Sequence, residues 1–313
     1  MTMDAFHLIT IDALSDADLA ELFRVARDLK ARWARGEQVN SLNGKTLGMI
    51  FEKPSLRTRV SFEVGMNQLG GRAVYLTQAE IGLGRREAPR DVARVLSGFV
   101  DGIMARTFAH ETIEELARHS RVPVVNGLSD FSHPCQALAD MLTAIEEFGD
   151  VRGRTWAFVG DGNNVARSLC ILCGRMGVRF RLAAPAGYEL ADDFLDAACQ
   201  LAPDLDYQLV RDPADAVRGA DVVYTDTWTS MGQEAEKSAR RKAFAPYQVN
   251  ARLLAAAGNQ AVVMHCLPAY RGVEITDDVI DGPQSRVFQE AENRCHAQKA
   301  VLHLLLQKPR ENL

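Results

Sequence analysis

The 313-residue sequence predicts an α/β protein with two domains, each built on a central parallel sheet flanked by helices. Its length exceeds what one hydrophobic core usually serves, so about two domains are expected. Short apolar runs alternate with segments of helical periodicity, which is the pattern of parallel strands joined by crossover helices. Polar residues suited to chemistry follow several of these runs, at the edge where open α/β sheets bind ligands.

Composition argues against several classes of function. The formal net charge of −5 disfavours general binding to nucleic acid or to a membrane surface, which needs a basic excess. Of the six cysteines, only Cys170 and Cys173 are close in sequence, and they fall in an apolar helical run, so we predict no metal site. The N-terminus lacks a charged segment followed by an apolar core, and no uninterrupted apolar run reaches roughly 18 residues, so we expect a cytoplasmic protein.

An anion-binding pattern follows the first predicted strand. Residues 46–51 form a short apolar run, as a buried parallel strand would. Ser55 can cap the helix that follows, whose free N–H groups and positive dipole end attract phosphate or carboxylate. Arg57 and Arg59 add forked, charge-assisted donors. An ordinary capped helix with two arginines on its solvated face would give the same spacing.

The rest of the first half supplies further candidates. A helix is predicted over 15–34, and strands are predicted over 72–76, 102–106 and 122–126. The strand over 102–106 delivers Arg106 to its carboxyl end. His133 directly precedes a helix that runs to Phe148, and Gln136 lies in the first turn of that helix. An imidazole there can donate to a developing oxyanion, although such a histidine is also a common helix cap.

A glycine-containing segment over 81–87 carries charges of both signs and predicts a loop. Such a loop could cover a ligand, or it could be a plain surface connection. A helix is predicted soon after it, over 91–100.

In the second half, a strand predicted over 155–159 leads into a turn that begins at Gly160. This turn matches a dinucleotide-binding loop only in part, because Val165 occupies the position of the third glycine. The next strand, over 178–184, also ends without the acidic residue that would bind a ribose. We therefore expect no nicotinamide and no other cofactor. Asn164, at the start of the helix between these strands, could instead bind a carboxylate through its amide.

Two further strands end on polar residues. The strand over 221–226 ends on Asp226, whose carboxylate suits an ammonium group. The strand that begins at residue 261 exits at His265 and Cys266, although a buried thiol taken alone is usually inert. The final helix, over 287–307, is explained by packing except for Arg294, which is a candidate functional residue.

Taken together and in order, four motifs resemble those of the aspartate/ornithine carbamoyltransferase family across nearly the whole chain. They are Ser55-Leu-Arg-Thr-Arg59, His133-Pro-Cys-Gln136, Asp226-Thr-Trp-Thr-Ser-Met-Gly232 and His265-Cys-Leu-Pro268. An aspartate-specific member is expected to lack the last two, so the resemblance implies ornithine as the amine acceptor.

The resemblance implies a carbamoyl-phosphate-binding domain over 1–148, an ornithine-binding domain over 149–286, and a final helix, about 287–313, that returns to the first domain. It also implies a homotrimer, or a multiple of trimers, with sites between subunits. The carbamoyl phosphate contacts it implies are Ser55, Leu56, Arg57, Thr58, Arg106, His133, Gln136, Cys266, Leu267 and Arg294, of which Arg106, His133 and Cys266 are catalytic. The ornithine contacts it implies are Asn164, Asp226, Ser230 and Met231.

Two positions depart from the family pattern. Leu56 stands where ornithine enzymes often have threonine, and Gly82 stands where many relatives have a glutamine that reaches the neighbouring subunit's site. The function implied is carbamoyl transfer from carbamoyl phosphate to ornithine. Two alternatives are transfer to another amine, such as putrescine or an acylated ornithine, and a non-catalytic relative that binds carbamoyl phosphate. The intact segment over 226–232 counts against the first alternative, and the presence of every site arginine counts against the second.

Overall fold

The computed structural model describes residues 3–229, 232 and 234–307, and within this range parallel strands alternate with helices as the sequence predicts. The chain divides into two compact units. Unit 1 comprises the residues up to Leu142 and those from Asn293 onward, and unit 2 comprises Thr143–Glu292. Both divisions fall inside helices, whereas the boundaries expected from the sequence were a helix end at residue 148 and a helix start at residue 287.

Unit 1 is built on a four-stranded parallel sheet with the strand order β2-β1-β3-β4. Its elements are α1 (Asp16–Ala34), β1 (Thr46–Phe51), α2 (Leu56–Gln68), β2 (Arg72–Thr77), α3 (Gln78–Ile81), α4 (Pro89–Leu96), β3 (Gly102–Arg106), α5 (His110–Arg118), β4 (Val124–Leu128) and the start of α6 (Pro134–Phe148). The predicted strands over 46–51 and 102–106 are confirmed. The helix predicted over 91–100 was misplaced, because Pro89 starts α4 and the chain leaves it after Leu96.

Unit 2 is built on a five-stranded parallel sheet with the strand order β7-β6-β5-β8-β9. Its elements are β5 (Thr155–Val159), α7 (Asn164–Arg175), β6 (Arg179–Ala183), α8 (Asp192–Leu201), β7 (Tyr207–Val210), α9 (Pro213–Val217), β8 (Val222–Thr225), α10 (Lys237–Phe244), α11 (Ala251–Ala257), β9 (Val262–His265), α12 (Asp277–Ile280) and the start of α13 (Val287–Leu306). The centre of this sheet is aromatic, with the rings of Phe158 and Tyr224 stacked at 5.2 Å between centroids.

The final helix α13 returns to unit 1, as expected. In that unit Lys299 Nζ donates to Gln68 Oε1 at 2.8 Å, and the imidazole of His303 lies 2.9 Å from the hydroxyl of Ser41. None of the helices in the described part of the chain is long and apolar enough to cross a membrane.

Strand order in each sheet places one crevice at the carboxyl ends of the strands. In unit 1 the chain runs from β1 outward to β2 and then crosses back to β3, so the connections that follow β1 and β3 lead towards opposite edges of the sheet. In unit 2 the same reversal occurs between β5 and β8. Open α/β sheets bind ligands at such switch points.

Gly162, in the turn after β5, is explained by close packing of the backbone and not by binding of a dinucleotide. Gly162 donates its N–H to the carbonyl of Tyr188 at 2.8 Å. A Cβ at Gly162 would lie 2.6 Å from the backbone carbon of Glu189 and 2.7 Å from the nitrogen of Leu190. Because both neighbours are backbone atoms, they cannot move aside by changing a rotamer.

The substitution Gly162→Ala should therefore destabilise the protein by about 1–3 kcal/mol, as overpacking does. Calorimetric melting of the two proteins measures the change as a lower Tm. The matched control is Gly48→Ala, since a Cβ at Gly48 would make an ordinary contact of 3.5 Å with Val100. A Gly162→Ala protein that melts with wild type would contradict this assignment.

Candidate active site

The first cluster of candidate residues lies at the start of α2 in unit 1. Ser55 is the N-cap of this helix, and its hydroxyl accepts the N–H of Thr58 at 3.3 Å. The cap fixes the first turn of α2, which begins shortly after β1 ends and has free N–H groups directed out of the helix. These free N–H groups and the positive end of the helix dipole together favour an anion at this turn.

Three side chains converge on the hydroxyl oxygen of Thr58, which is fully buried. Ser55 Oγ lies 3.1 Å from it, Arg106 Nη1 lies 3.4 Å from it and Arg294 Nη2 lies 3.2 Å from it. Arg106 is the last residue of β3, and Arg294 lies on α13. As whole residues, Arg106 and Arg294 are only 6% and 3% exposed. Two cations buried around one hydroxyl favour an anionic ligand.

His133 belongs to the same cluster and is neutral. Burial is the largest cause that lowers its pKa well below the usual value, and the nearby charges of Arg294, Arg106, Lys53 and Arg57 lower the pKa further. A neutral imidazole carries one N–H, so His133 can donate to a carbonyl oxygen without first gaining a proton.

Lys53 is a member of this cluster that the sequence reasoning missed. Its ammonium lies 4.7 Å from the centre of the Phe108 ring. Burial, followed by repulsion from Arg106, lowers the pKa of Lys53 to about 8, while Asp130 and Glu52 act in the opposite direction. The sequence feature that could have identified it is a lysine that lies between a predicted strand and the anion-binding motif.

Gln136 lies in the first turn of α6 and is fully buried. Its amide nitrogen donates to Asp140 Oδ1 at 2.7 Å. This bond turns the amide nitrogen towards the protein, so the carbonyl oxygen is the atom suited to accept from a carbamoyl NH2 group.

Leu56 contributes differently from its neighbours. Its side chain is 75% exposed, so the group it can offer to an anion at the helix start is its backbone N–H. Val60 and Val64, one and two turns further along α2, are 47% and 37% exposed. Leu56 therefore begins an exposed apolar stripe on α2.

The second cluster lies in unit 2, at the carboxyl ends of β5, β8 and β9. Asp226 directly follows β8, and its carboxylate accepts from Asn163 Nδ2 at 2.8 Å and from the N–H of Thr227 at 2.6 Å. Cys266 Sγ also donates to Asp226, at 2.9 Å. Asn163 is the N-cap of α7 and accepts from two N–H groups of its first turn. A helix cap and a strand end are thus joined through one carboxylate.

Asn163 was missed by the sequence reasoning, which selected Asn164 instead. Asn164 is the first residue of α7 and is half-buried at the same turn. The predicted ornithine contacts Ser230 and Met231 lie outside the described residues. The carbonyl of Trp228, just before them, accepts from Arg240 Nη1 at 3.3 Å, and the same nitrogen donates to Asp161 at 2.6 Å.

The segment after β9 has an unusual backbone. Leu267 has a φ of 54°, in the left-handed region that favours glycine, and the Leu267–Pro268 peptide bond is cis. A left-handed conformation costs an ordinary residue about 1–2 kcal/mol. The N–H of Leu267 donates to His265 Nδ1 at 2.9 Å.

Asp226, His265 and Cys266 offer potential metal-ligand atoms that lie within 4.8 Å of one another. Each group is engaged within the protein. Asp226 accepts a hydrogen bond from the thiol of Cys266. Nδ1 of His265 accepts from the N–H of Leu267, and its Nε2 lies 3.2 Å from Glu274 Oε1. The arrangement acts as a hydrogen-bonded network, and no metal is needed to hold it together.

Gly82 caps α3 in the left-handed conformation, with a φ of 68°. A Cβ there would lie 2.7 Å from the Cβ of Arg86, whose guanidinium donates to the carbonyls of Glu80 and Ile81. The side chain of Arg86 therefore closes this loop over Gly82.

The sequence-predicted residues therefore fall into two groups. Unit 1 brings together Ser55, Arg57, Thr58, Arg106, His133, Gln136 and Arg294, with the backbone of Leu56 at the same helix start. Unit 2 brings together Asp226, Cys266 and Leu267, with Asn164 beside Asn163. The first group suits an oxyanion, and the second suits an ammonium group.

Comparison with known proteins gives one family. Residues 7–146 match the carbamoyl-P binding domain of aspartate/ornithine carbamoyltransferase, and residues 152–305 match its Asp/Orn binding domain. Ornithine carbamoyltransferase of Methanopyrus kandleri is 53% identical over 96% of this chain and 97% of that protein. The enzyme of that name from Bacillus subtilis is 52% identical over 96% of this chain and 94% of that protein.

Solved structures agree with these matches. Ornithine carbamoyltransferase from Pyrococcus furiosus has a TM-score of 0.95 and 48% identity, and the match covers 99% of this chain and 100% of that chain. The structure from Thermus thermophilus has a TM-score of 0.87 and 46% identity, covering 96% of this chain and 98% of that chain. Domain profiles, close relatives and solved structures all show that this chain belongs to the aspartate/ornithine carbamoyltransferase family.

Proposed function

We propose that this protein transfers the carbamoyl group of carbamoyl phosphate to the δ-amine of L-ornithine, giving L-citrulline and phosphate. The observation that carries the proposal is the convergence of Ser55, Arg106 and Arg294 on the buried hydroxyl of Thr58, at the start of α2. Buried cationic and hydroxyl donors of this kind suit the anionic oxygens of a small phosphorylated compound. The relatives named above are all called ornithine carbamoyltransferases, so transfer to putrescine or an acylated ornithine is not favoured.

The phosphate end of the substrate binds at the start of α2. Ser55 and the guanidinium of Arg57 donate to its oxygens, together with the N–H groups of the first turn, including those of Leu56 and Thr58. Arg294 adds charge from α13. Several donors fixed before the substrate arrives cost little reorganisation, which is why such sites bind phosphate well.

The carbonyl end is polarised by three donors. Arg106, neutral His133 and the Thr58 hydroxyl donate to the carbonyl oxygen, where negative charge grows as the amine attacks. Removing one such donor commonly lowers kcat by about 10²–10³-fold. The carbonyl oxygens of Gln136 and Leu267 accept from the carbamoyl NH2 group and fix its orientation.

Ornithine binds through the residues of the second cluster. Asn164 holds its carboxylate, and Asp226 holds its α-ammonium group, with Ser230 and Met231 completing the contacts by analogy with the family. Cys266, which donates to Asp226 at 2.9 Å, lies beside the reacting amine. Orientation of two small substrates supplies roughly 7–11 kcal/mol in favourable cases.

The reaction needs no covalent enzyme intermediate. The lone pair of the neutral δ-amine forms the new C–N bond at the carbonyl carbon, and the C–O bond to phosphate then breaks with its electron pair on oxygen. The departing phosphate takes the proton that the amine releases. Atoms and charge balance without an added oxidant, reductant or metal.

We also propose a homotrimer, or a multiple of trimers, working in the cytoplasm in arginine metabolism. The exposed stripe of Leu56, Val60 and Val64 supports self-association, because contiguous apolar surface commonly marks a protein interface. In this arrangement Leu56 contributes apolar contact area.

Purified protein should form citrulline and phosphate in equal amounts from ornithine and carbamoyl phosphate, measured by a colorimetric citrulline assay and phosphate release. Putrescine should give far less carbamoylated product, since it has no carboxylate for Asn164 to hold.

The variant Arg57→Ala should lose about 10²–10³-fold in kcat/KM for carbamoyl phosphate while staying folded, because it removes a charged donor to the phosphate.

The matched control is Arg24→Ala, which removes an exposed arginine paired only with Glu21 on the surface of α1 and should keep wild-type activity. Near-normal kcat/KM for the Arg57→Ala protein would refute the phosphate assignment. Carbamoyl phosphate binding without citrulline formation by wild type would instead point to a non-catalytic relative.

Phosphate-end binding should weaken as pH rises from about 7 to about 9, by at most about tenfold per pH unit. The reason is that the pKa of Lys53 is lowered from 10.5 to about 8, so the cluster loses a positive charge across this range. Calorimetric titration with a stable phosphonate analogue of carbamoyl phosphate measures the slope. Lys53→Arg keeps its charge and should flatten it; equal slopes for the two proteins would count against the role of Lys53.

A further inference from the structure

The backbone of Leu267 is held in a conformation that the chain would not choose by itself. Among the described residues, Leu267 is the one non-glycine residue with a positive φ. It lies two residues beyond the end of β9, and within the described part of the chain no neighbouring strand pairs with it. Some other contact must therefore stabilise this conformation.

That contact is the imidazole of His265, which is fully buried. His265 Nδ1 accepts the N–H of Leu267 at 2.9 Å. Because Nδ1 is the acceptor, the ring proton resides on Nε2, which lies 3.2 Å from Glu274 Oε1. The hydrogen bond to Leu267 thus fixes the tautomer, and the tautomer directs the other nitrogen at Glu274.

Glu274 contacts both the second ring nitrogen of His265 and the backbone that follows Pro268. It is also fully buried, and the same oxygen accepts the N–H of Tyr270 at 2.5 Å. One carboxylate therefore anchors both the His265 ring and the backbone that follows Pro268. The ring cannot turn without breaking a bond at each of its nitrogens.

The backbone of His265 has its own anchor on α13. Its N–H donates to Glu290 Oε2 at 2.8 Å, and Glu290 Oε1 accepts from the hydroxyl of Tyr224 at 3.3 Å. Ring and main chain of His265 are thus both fixed, which makes this residue a rigid support for Leu267.

We infer that His265 and Glu274 are positioning residues for the carbamoyl group: they set the conformation of Leu267 and so aim its carbonyl oxygen. Neither side chain touches substrate in this assignment. The inference rests on the proposed function, in which the Leu267 carbonyl accepts from the carbamoyl NH2 group. It adds a requirement that the proposed function does not contain, namely an acceptor at the Nδ1 position of residue 265.

Two substitutions separate the tasks of the two ring nitrogens. His265→Asn places an amide oxygen near the Nδ1 position, where it can still accept the N–H of Leu267. His265→Gln reaches the Nε2 position and can donate to Glu274, but leaves the N–H of Leu267 without its acceptor. The Gln variant should lose about 10- to 100-fold in kcat/KM for carbamoyl phosphate, as small misplacements of reacting groups do. The Asn variant keeps the acceptor for the N–H of Leu267 and gives up only the bond to Glu274, so it should lose less than about tenfold.

The inhibition constant of inorganic phosphate distinguishes positioning from general damage. Phosphate has no carbamoyl group, so its inhibition constant should be the same in wild type and in both variants. Tyr247→Phe is the control, because it removes a hydrogen bond to the carbonyl of Arg211 elsewhere in unit 2 and should change neither quantity. If the Gln variant does not fold, Glu274→Gln takes its place, with a smaller loss of kcat/KM and unchanged phosphate inhibition.

Equal activity of the Gln variant and wild type would overturn the inference, and so would equal losses in the Gln and Asn variants. A parallel loss of phosphate inhibition would overturn it as well, since the effect would then not be specific to the carbamoyl end. Failure of the wild-type protein to form citrulline would overturn the proposed function first, whatever the variants do.

Discussion

The burial of several cations around one hydroxyl is the constraint on which the rest of unit 1 depends. Arg106 and Arg294 meet at Thr58, and Lys53 and Arg57 add charge around the neutral ring of His133. Removing each charge from water costs on the order of several kcal/mol unless an opposite charge compensates. In the proposed assignment the phosphate of the substrate supplies that charge, so substrate binding would also balance the charges buried in unit 1.

The geometry of parallel sheets explains why chemistry collects where it does. In each unit the strand order reverses once, and caps of the following helices lie at that reversal: Ser55 after β1 in unit 1 and Asn163 after β5 in unit 2. A cap must present a side-chain oxygen to free N–H groups, so it brings polar groups to the switch point before any substrate is considered. Arg106 and Asp226 reach the same places as the ends of β3 and β8.

The sequence predicted every strand of the two sheets except β7, and most of the residues that follow those strands, because buried parallel strands are short, apolar and followed by polar groups. It did not predict which side chains of separate helices and strands contact one another. That Thr58 joins Arg106 to Arg294, and that Asn163 rather than Asn164 meets Asp226, depends on where separate elements pack. The strand β7 was missed because it lies at a sheet edge and is only partly buried. The fixed backbone of Leu267 has no sequence signal short of the family motif.

The central claim is that the start of α2 holds the phosphate end of carbamoyl phosphate. A crystal structure with a bound phosphonate analogue tests it most directly. The analogue's phosphonate oxygens should lie roughly 3 Å from Ser55 Oγ and the N–H groups of the first turn of α2. A phosphonate bound at another place, with the cluster around Thr58 free of it, would contradict the assignment.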